Sequence, residues 1–143
     1  MFLSIIALCT AFQEKSLVLI DTVTEETIRV FPFVEGGVFS VSFIHSVNQS
    51  PVEETYQIRN NTIFLIGCRF SHFGAGVLTE LGPNERLLYN EDGSMSITGI
   101  ETPISELSYI VGTVSDHILE ISGEKISLRT ICGKNRKISF VYR

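Results

Sequence analysis

Long hydrophobic runs, clustered basic residues and closely spaced cysteines are all missing from this sequence, and each absence removes a class of function. No stretch approaches the roughly 20 apolar residues that a bilayer-spanning helix needs. Eleven Lys and Arg stand against sixteen Asp and Glu, a formal charge of −5. Nucleic acid is therefore not expected as a partner, because neutralising phosphates takes clustered cations. Only Lys134, Arg136 and Lys137 crowd together, and they read as a solvated turn between strands. Cys9, Cys68 and Cys132 lie too far apart to form a metal-binding knuckle or a disulfide framework. Cys68 and Cys132 could pair in an oxidising compartment, leaving Cys9 over; more often such isolated cysteines are small buried apolar groups. Long helical periodicity is missing too, as is any Pro- or Gly-rich linker or internal repeat.

What is present is an apolar fraction of 44% against 19% charged, the balance of a chain that folds around a core. Its 143 residues suit one domain. Residues 1–12 are mostly apolar and end at Gln13, Glu14 and Lys15. That length fits the apolar region of a signal peptide, although no Lys or Arg precedes it, and fits equally a buried first strand. The expected organisation is a leader or first strand over 1–12 and a single β-domain over 13–143. Membrane association through 1–12 and an exported or tethered location follow from the leader alternative.

Short runs rich in Val, Ile, Phe, Thr and Tyr recur between Gly, Asn, Asp and Pro. They predict strands over 16–21, 27–34, 38–47, 52–59, 62–70, 86–89, 94–100, 107–111, 117–121, 125–130 and 137–142. Asn60-Asn61 and Asp92-Gly93 are hairpin signals, since Asn and Gly tolerate positive φ. The fold class is all-β, an antiparallel sandwich or closed barrel of about ten short strands. One short helical turn is expected near 102–107, capped by Thr102 or Ser105. The sequons at Asn48 and Asn60 read as turn chemistry.

The segment from His45 to Tyr56 carries the most distinctive residues. In the run 38–47, Val41, Phe43, His45 and Val47 share a face; in the run 52–59, Val52, Glu54, Tyr56 and Ile58 do the same. Pairing Val47 with Val52 across a four-residue loop sets His45 opposite Glu54, within reach of an imidazole–carboxylate bond. A bulge there would substitute Glu53. A carboxylate on an apolar face must be paired or protonate. The pair is either a core contact that fixes register or the polar floor of a ligand cavity, with Tyr56 beside it. If it is an ion pair, His45 titrates above about 6.5. Ser46 adjoins His45 but faces the other side, so no nucleophile–base dyad forms and no catalytic residue is assigned. A metal site from His45, Glu53, Glu54 and His117 lacks any supporting spacing, so no metal or cofactor is expected.

The stretch Ser71-His72-Phe73-Gly74-Ala75-Gly76-Val77 has two glycines but no following helix. It is a tight bend, or a loop whose N–H groups at Gly74 and Gly76 hold a carboxylate. His72 lies on it and is expected to be exposed. His117 shares a strand face with Leu119 and Ile121, as a core-edge histidine or a ligand contact.

These strings, His45-Ser46-Val47, Pro51-Val52-Glu53-Glu54-Thr55-Tyr56, Phe73-Gly74-Ala75-Gly76 and the late His117 with Ile126-Ser127-Leu128, resemble one uncharacterised bacterial and archaeal family. That family is a domain of unknown function often encoded beside TRAP-type transporters of the TAXI class. The resemblance runs from about Leu17 to Leu128. It implies an extracytoplasmic accessory role in substrate uptake, with the transporter's membrane subunit or its substrate-binding protein as partner and a small carboxylate as ligand. It supplies no catalytic residues. Two rivals stand beside this reading: a small-molecule-binding β-barrel unrelated to transport, and a metal-dependent hydrolase.

Overall fold

Alternating apolar residues give a strand one buried face, and two such sheets must cover each other. The computed structural model describes residues 14–47, 49–71, 80–113 and 115–143. Within them run β1 (Ser16–Asp21), β2 (Thr27–Pro32), β3 (Val38–Ile44), β4 (Pro51–Arg59), β5 (Thr62–Phe70), β6 (Arg86–Tyr89), β7 (Met95–Ile104), β8 (Leu107–Ile110), β9 (His117–Ile121), β10 (Glu124–Ser127), the helix α1 (Leu128–Cys132) and β11 (Lys137–Tyr142). Every pairing is antiparallel. A four-stranded sheet has the order β2-β1-β11-β8, and a seven-stranded sheet has the order β10-β9-β3-β4-β5-β7-β6. The architecture is the sandwich, not the closed barrel.

The main core lies between the sheets. Leu17, Leu19, Phe31, Leu107, Ile138 and Phe140 meet Phe39, Val41, Tyr56, Ile58, Leu119 and Ile121. Phe39 anchors it, stacked on Tyr56 at 5.3 Å between ring centroids and 5.8 Å from Phe140. A second cluster of Val52, Phe70, Met95, Ile97 and Ile100 sits on the β4–β5–β7 part of the larger sheet. There the β7 strand bulges at Gly99, whose φ of 76° lets the Asn84 carbonyl approach; a Cβ would meet that oxygen at 2.2 Å. No helix among the described residues is long and apolar enough to cross a membrane.

Local chemistry explains both the agreements and the departures. Asn60 and Asn61 both have positive φ, the type I′ turn that their residue type allows. Ser122 and Gly123 make the same turn between β9 and β10. At Asp92-Gly93 only Gly93 has positive φ, so that hairpin is a three-residue loop ending in a left-handed glycine. The helical turn expected at 102–107 is strand instead: Thr102, Pro103 and Ile104 face Leu65, Phe64 and Ile63 across the ladder. The helix falls later, beginning within the run expected as a strand to residue 130 and ending at Cys132. Ser127 ends β10 and caps α1, its hydroxyl accepting from the Thr130 amide at 3.0 Å. Cys68 and Cys132 are free thiols, one half-buried on β5 and the other buried in α1. The leader at 1–12, Cys9, Asn48 of the first sequon, His72, Gly74 and Gly76 lie outside the described residues.

Candidate functional site

The register of the β3–β4 hairpin decides the site. The last paired residues are Ile44 and Pro51, and Glu54 faces Val41 rather than His45. The expected cross-strand His45–Glu54 pair is therefore corrected by four positions along β3. The cause is the turn. It occupies residues 45–50, closed by the His45 amide on the Ser50 carbonyl at 2.8 Å and the Gln49 amide on the His45 carbonyl at 3.0 Å, with Gln49 at φ 53°. A shift by an even number keeps every side chain on its face, so Glu54 and Tyr56 still point inward while their partners change. His45 leaves the strand. It is half-buried, and its Nδ1 accepts from the Val47 amide at 3.3 Å. Phe43 likewise faces Val52, and Phe39 takes the place opposite Tyr56.

Glu54 finds one partner on its own strand and one across the sandwich. Oε2 accepts from the Tyr56 hydroxyl at 2.8 Å and from the Tyr109 hydroxyl at 2.7 Å, and the two hydroxyls stand 2.7 Å apart. Tyr56 comes from the same strand two residues on, and Tyr109 from β8 of the opposite sheet. The carboxylate stands at a seam, with Val41 of the main core on one side and Cys68 of β5 on the other. Among the described residues no cation forms an ion pair with it. Burial, then the Glu54 charge, holds the Tyr56 phenol far above its ordinary range; burial, then Tyr56 and Glu54, does the same to Tyr109. Both phenols therefore stay protonated as donors. Burial, with Glu54 and Glu53 adding to it, pushes the Cys68 thiol up to about 11, so it is not an activated nucleophile.

His117 completes the patch. It is buried on β9, paired across from Phe43 and stacked on that ring at 5.1 Å, with the Tyr109 ring 5.4 Å away. Burial lowers its pKa, against the raising influence of Asp116 and Glu54, while Arg129 lowers it further. Its Nδ1 is buried without a hydrogen-bond partner among the described residues.

Of the residues expected at a site, the structure thus brings together Glu54, Tyr56 and His117. Glu53 points outward, opposite Ser42, and lines a surface hollow of about 210 Å³ with Arg69, Asp92 and Ser94. Glu53, Glu54, His45 and His117 do not converge, and no group of three potential metal ligands gathers among the described residues. A groove of about 1060 Å³ is lined by Lys15, Phe33, Val34, Val38, Asn61 and Tyr142, none of which belongs to the patch. Tyr109 escaped the sequence reading. Its one signal is a hydroxyl-bearing aromatic sharing a strand face with Leu107.

A family model described as a domain of unknown function (DUF1850) matches residues 39–128. The chain belongs to that family, whose matched span runs from the second residue of β3 through β10 and holds Glu54, Tyr56, Tyr109 and His117. No curated protein and no solved structure matches the chain.

Proposed function

We propose that this DUF1850 member is a non-enzymatic, extracytoplasmic accessory domain of a TAXI-class TRAP transporter. It binds a small ligand through its inner polar patch and associates with the transporter's membrane subunit or substrate-binding protein. The observation that carries ligand binding is the patch itself. Glu54, two phenols and a histidine with a free nitrogen stand on the inner faces of a sandwich otherwise lined by apolar side chains. A few convergent polar groups in an apolar setting are what orient a small molecule. The resemblance of the His-Ser-Val and Pro-Val-Glu-Glu strings supports the transporter context. A binding role is favoured over catalysis because the phenols are held protonated and the Cys68 thiol is not activated.

The test is capture of transport components by the tagged full-length chain, from soluble and detergent extracts of its own cells. Co-purification of the membrane subunit or the substrate-binding protein is expected. Recovery of neither above background in both extracts removes the accessory role. Fractionation of the same cells checks the location, which the proposal requires to be outside the cytoplasm.

A further inference from the structure

Three buried nitrogens beside the patch have no acceptor within the described residues: Nδ1 of His117, and Nε and Nη2 of Arg129. On a guanidinium, Nε and Nη2 form the side-on edge whose parallel N–H bonds fit the two oxygens of a carboxylate. Leaving such an edge dry and empty is costly, because a buried charged donor without a partner forfeits its full hydration. The nearest acidic group does not satisfy it. Asp116 Oδ1 accepts from the amides of His117 at 2.7 Å and Arg129 at 2.9 Å, and its Oδ2 is taken by the Ser127 hydroxyl. That single oxygen also draws the two residues together, since both backbones lean on it. The β9–β10 ladder fixes the same proximity by setting Ser127 across from Ile118. Arg129 as a residue is half-buried, while the two nitrogens of this edge are themselves withdrawn from solvent.

We propose that the side-on edge of Arg129, with His117 Nδ1, is a recognition site for a carboxylate. The inference rests on the ligand-binding reading above and names the group that the ligand presents. The bidentate edge grips both oxygens, and the neutral imidazole contributes one further N–H in the tautomer protonated at Nδ1. Glu54, whose charge also acts on His117, repels a second negative group there. The site therefore favours acids whose remaining atoms are neutral or positively charged over dicarboxylates.

The experiment uses the full-length wild-type chain, Arg129→Met and Arg129→Lys, with acetate, glycine, succinate and inorganic phosphate as probes. Circular dichroism first confirms that each variant is folded. In wild type, acetate and glycine should raise the melting midpoint saturably and move the His117 Nδ1 resonance in ¹⁵N NMR spectra. Arg129→Met should abolish both effects, and Arg129→Lys, which keeps charge but not the edge, should weaken binding by about tenfold or more. Three results overturn the proposal: no saturable response to acetate or glycine, as expected if water fills the edge; a response to phosphate alone; or a response that survives in Arg129→Met. The NMR titration needs no variant and so stands even if Arg129 is required for folding. Captured transport components with no carboxylate response would sink this inference and leave the accessory role intact. The reverse pattern would do the opposite.

Discussion

Asp21 is buried and Glu54 half-buried, and the surroundings of these two carboxylates could hardly differ more. Asp21, at the end of β1, is surrounded by donors that fix the chain. Its Oδ1 accepts from the amides of Val23 and Thr24 at 2.8 and 3.0 Å, shaping the turn to β2, and its Oδ2 takes the Arg136 Nε at 2.7 Å. Those amides and the arginine hold its carboxyl below the usual range. Glu54 has no backbone donor and no cation among the described residues, only two phenols from different sheets. Asp21 ties β1, the turn and the segment before β11 into one frame. The Glu54 patch contributes far less to that frame, and it borders a histidine and an arginine with unused nitrogens. A fully satisfied carboxylate is architecture; one beside unsatisfied donors is a place where something else can bind.

That contrast can be broken by substitution. Asp21→Ala should give the largest fall in melting midpoint of these changes, because it leaves two turn amides without their acceptor and removes the ion pair with Arg136. Glu54→Gln, which keeps an acceptor oxygen for the phenols, should lower it far less. If thermal melts rank the two the other way, the assignment of Asp21 to architecture and Glu54 to a site is wrong. Next in size, Tyr109→Phe and Tyr56→Phe should each cost about 1–2 kcal/mol in urea unfolding. The double variant should depart from additivity, since both hydroxyls share one oxygen.

Acid should separate the two regions by pH. His117 has a lowered pKa in the folded state, so the unfolded chain takes up the proton first. Stability should therefore be level above about 6.5 and fall as the pH drops below it, toward the folded value. His117→Gln should flatten that slope. Asp21 acts lower down: its contribution is present above the unfolded value of about 3.9 and is lost as the pH falls through its depressed folded value. Melts across the two windows check both signs. Smallest of all, His45→Ala should change stability by no more than about 0.5 kcal/mol, as for an ordinary turn residue. A loss of several times that would restore the cross-strand pairing with Glu54 that the register excludes.

Most strands were legible because alternation and breakers are local. β1, β5, β9 and β11 fall where Val, Leu, Ile and Phe recur between turn residues, and β6 where Leu87 and Leu88 precede the Asp92-Gly93 turn. The hairpin register was not legible, because it depends on a turn whose irregular signs among the described residues are Gln49 at positive φ and a Pro51 without an N–H. Alternation is blind to an even shift, so the inward faces of Glu54 and Tyr56 were right while the partner was wrong. Tyr109 and Arg129 were missed for a related reason. Their roles depend on which strand lies across the sandwich, and on a cap formed at Ser127 that a strand-like run conceals.

The small sheet also has a consequence in time. β1 is paired along its length with β11, from Leu17 against Tyr142 to Asp21 against Ile138, and the Ser16 and Arg143 amides and carbonyls close the ladder reciprocally. During synthesis this edge of β1 must wait, unpaired, until the sequence-distant β11 has left the ribosome. The β1–β2 hairpin then offers an open row of backbone donors and acceptors to any neighbouring nascent chain. Closure between such distant segments is slow, so the rate at which β11 arrives governs how long that exposed edge is an aggregation hazard.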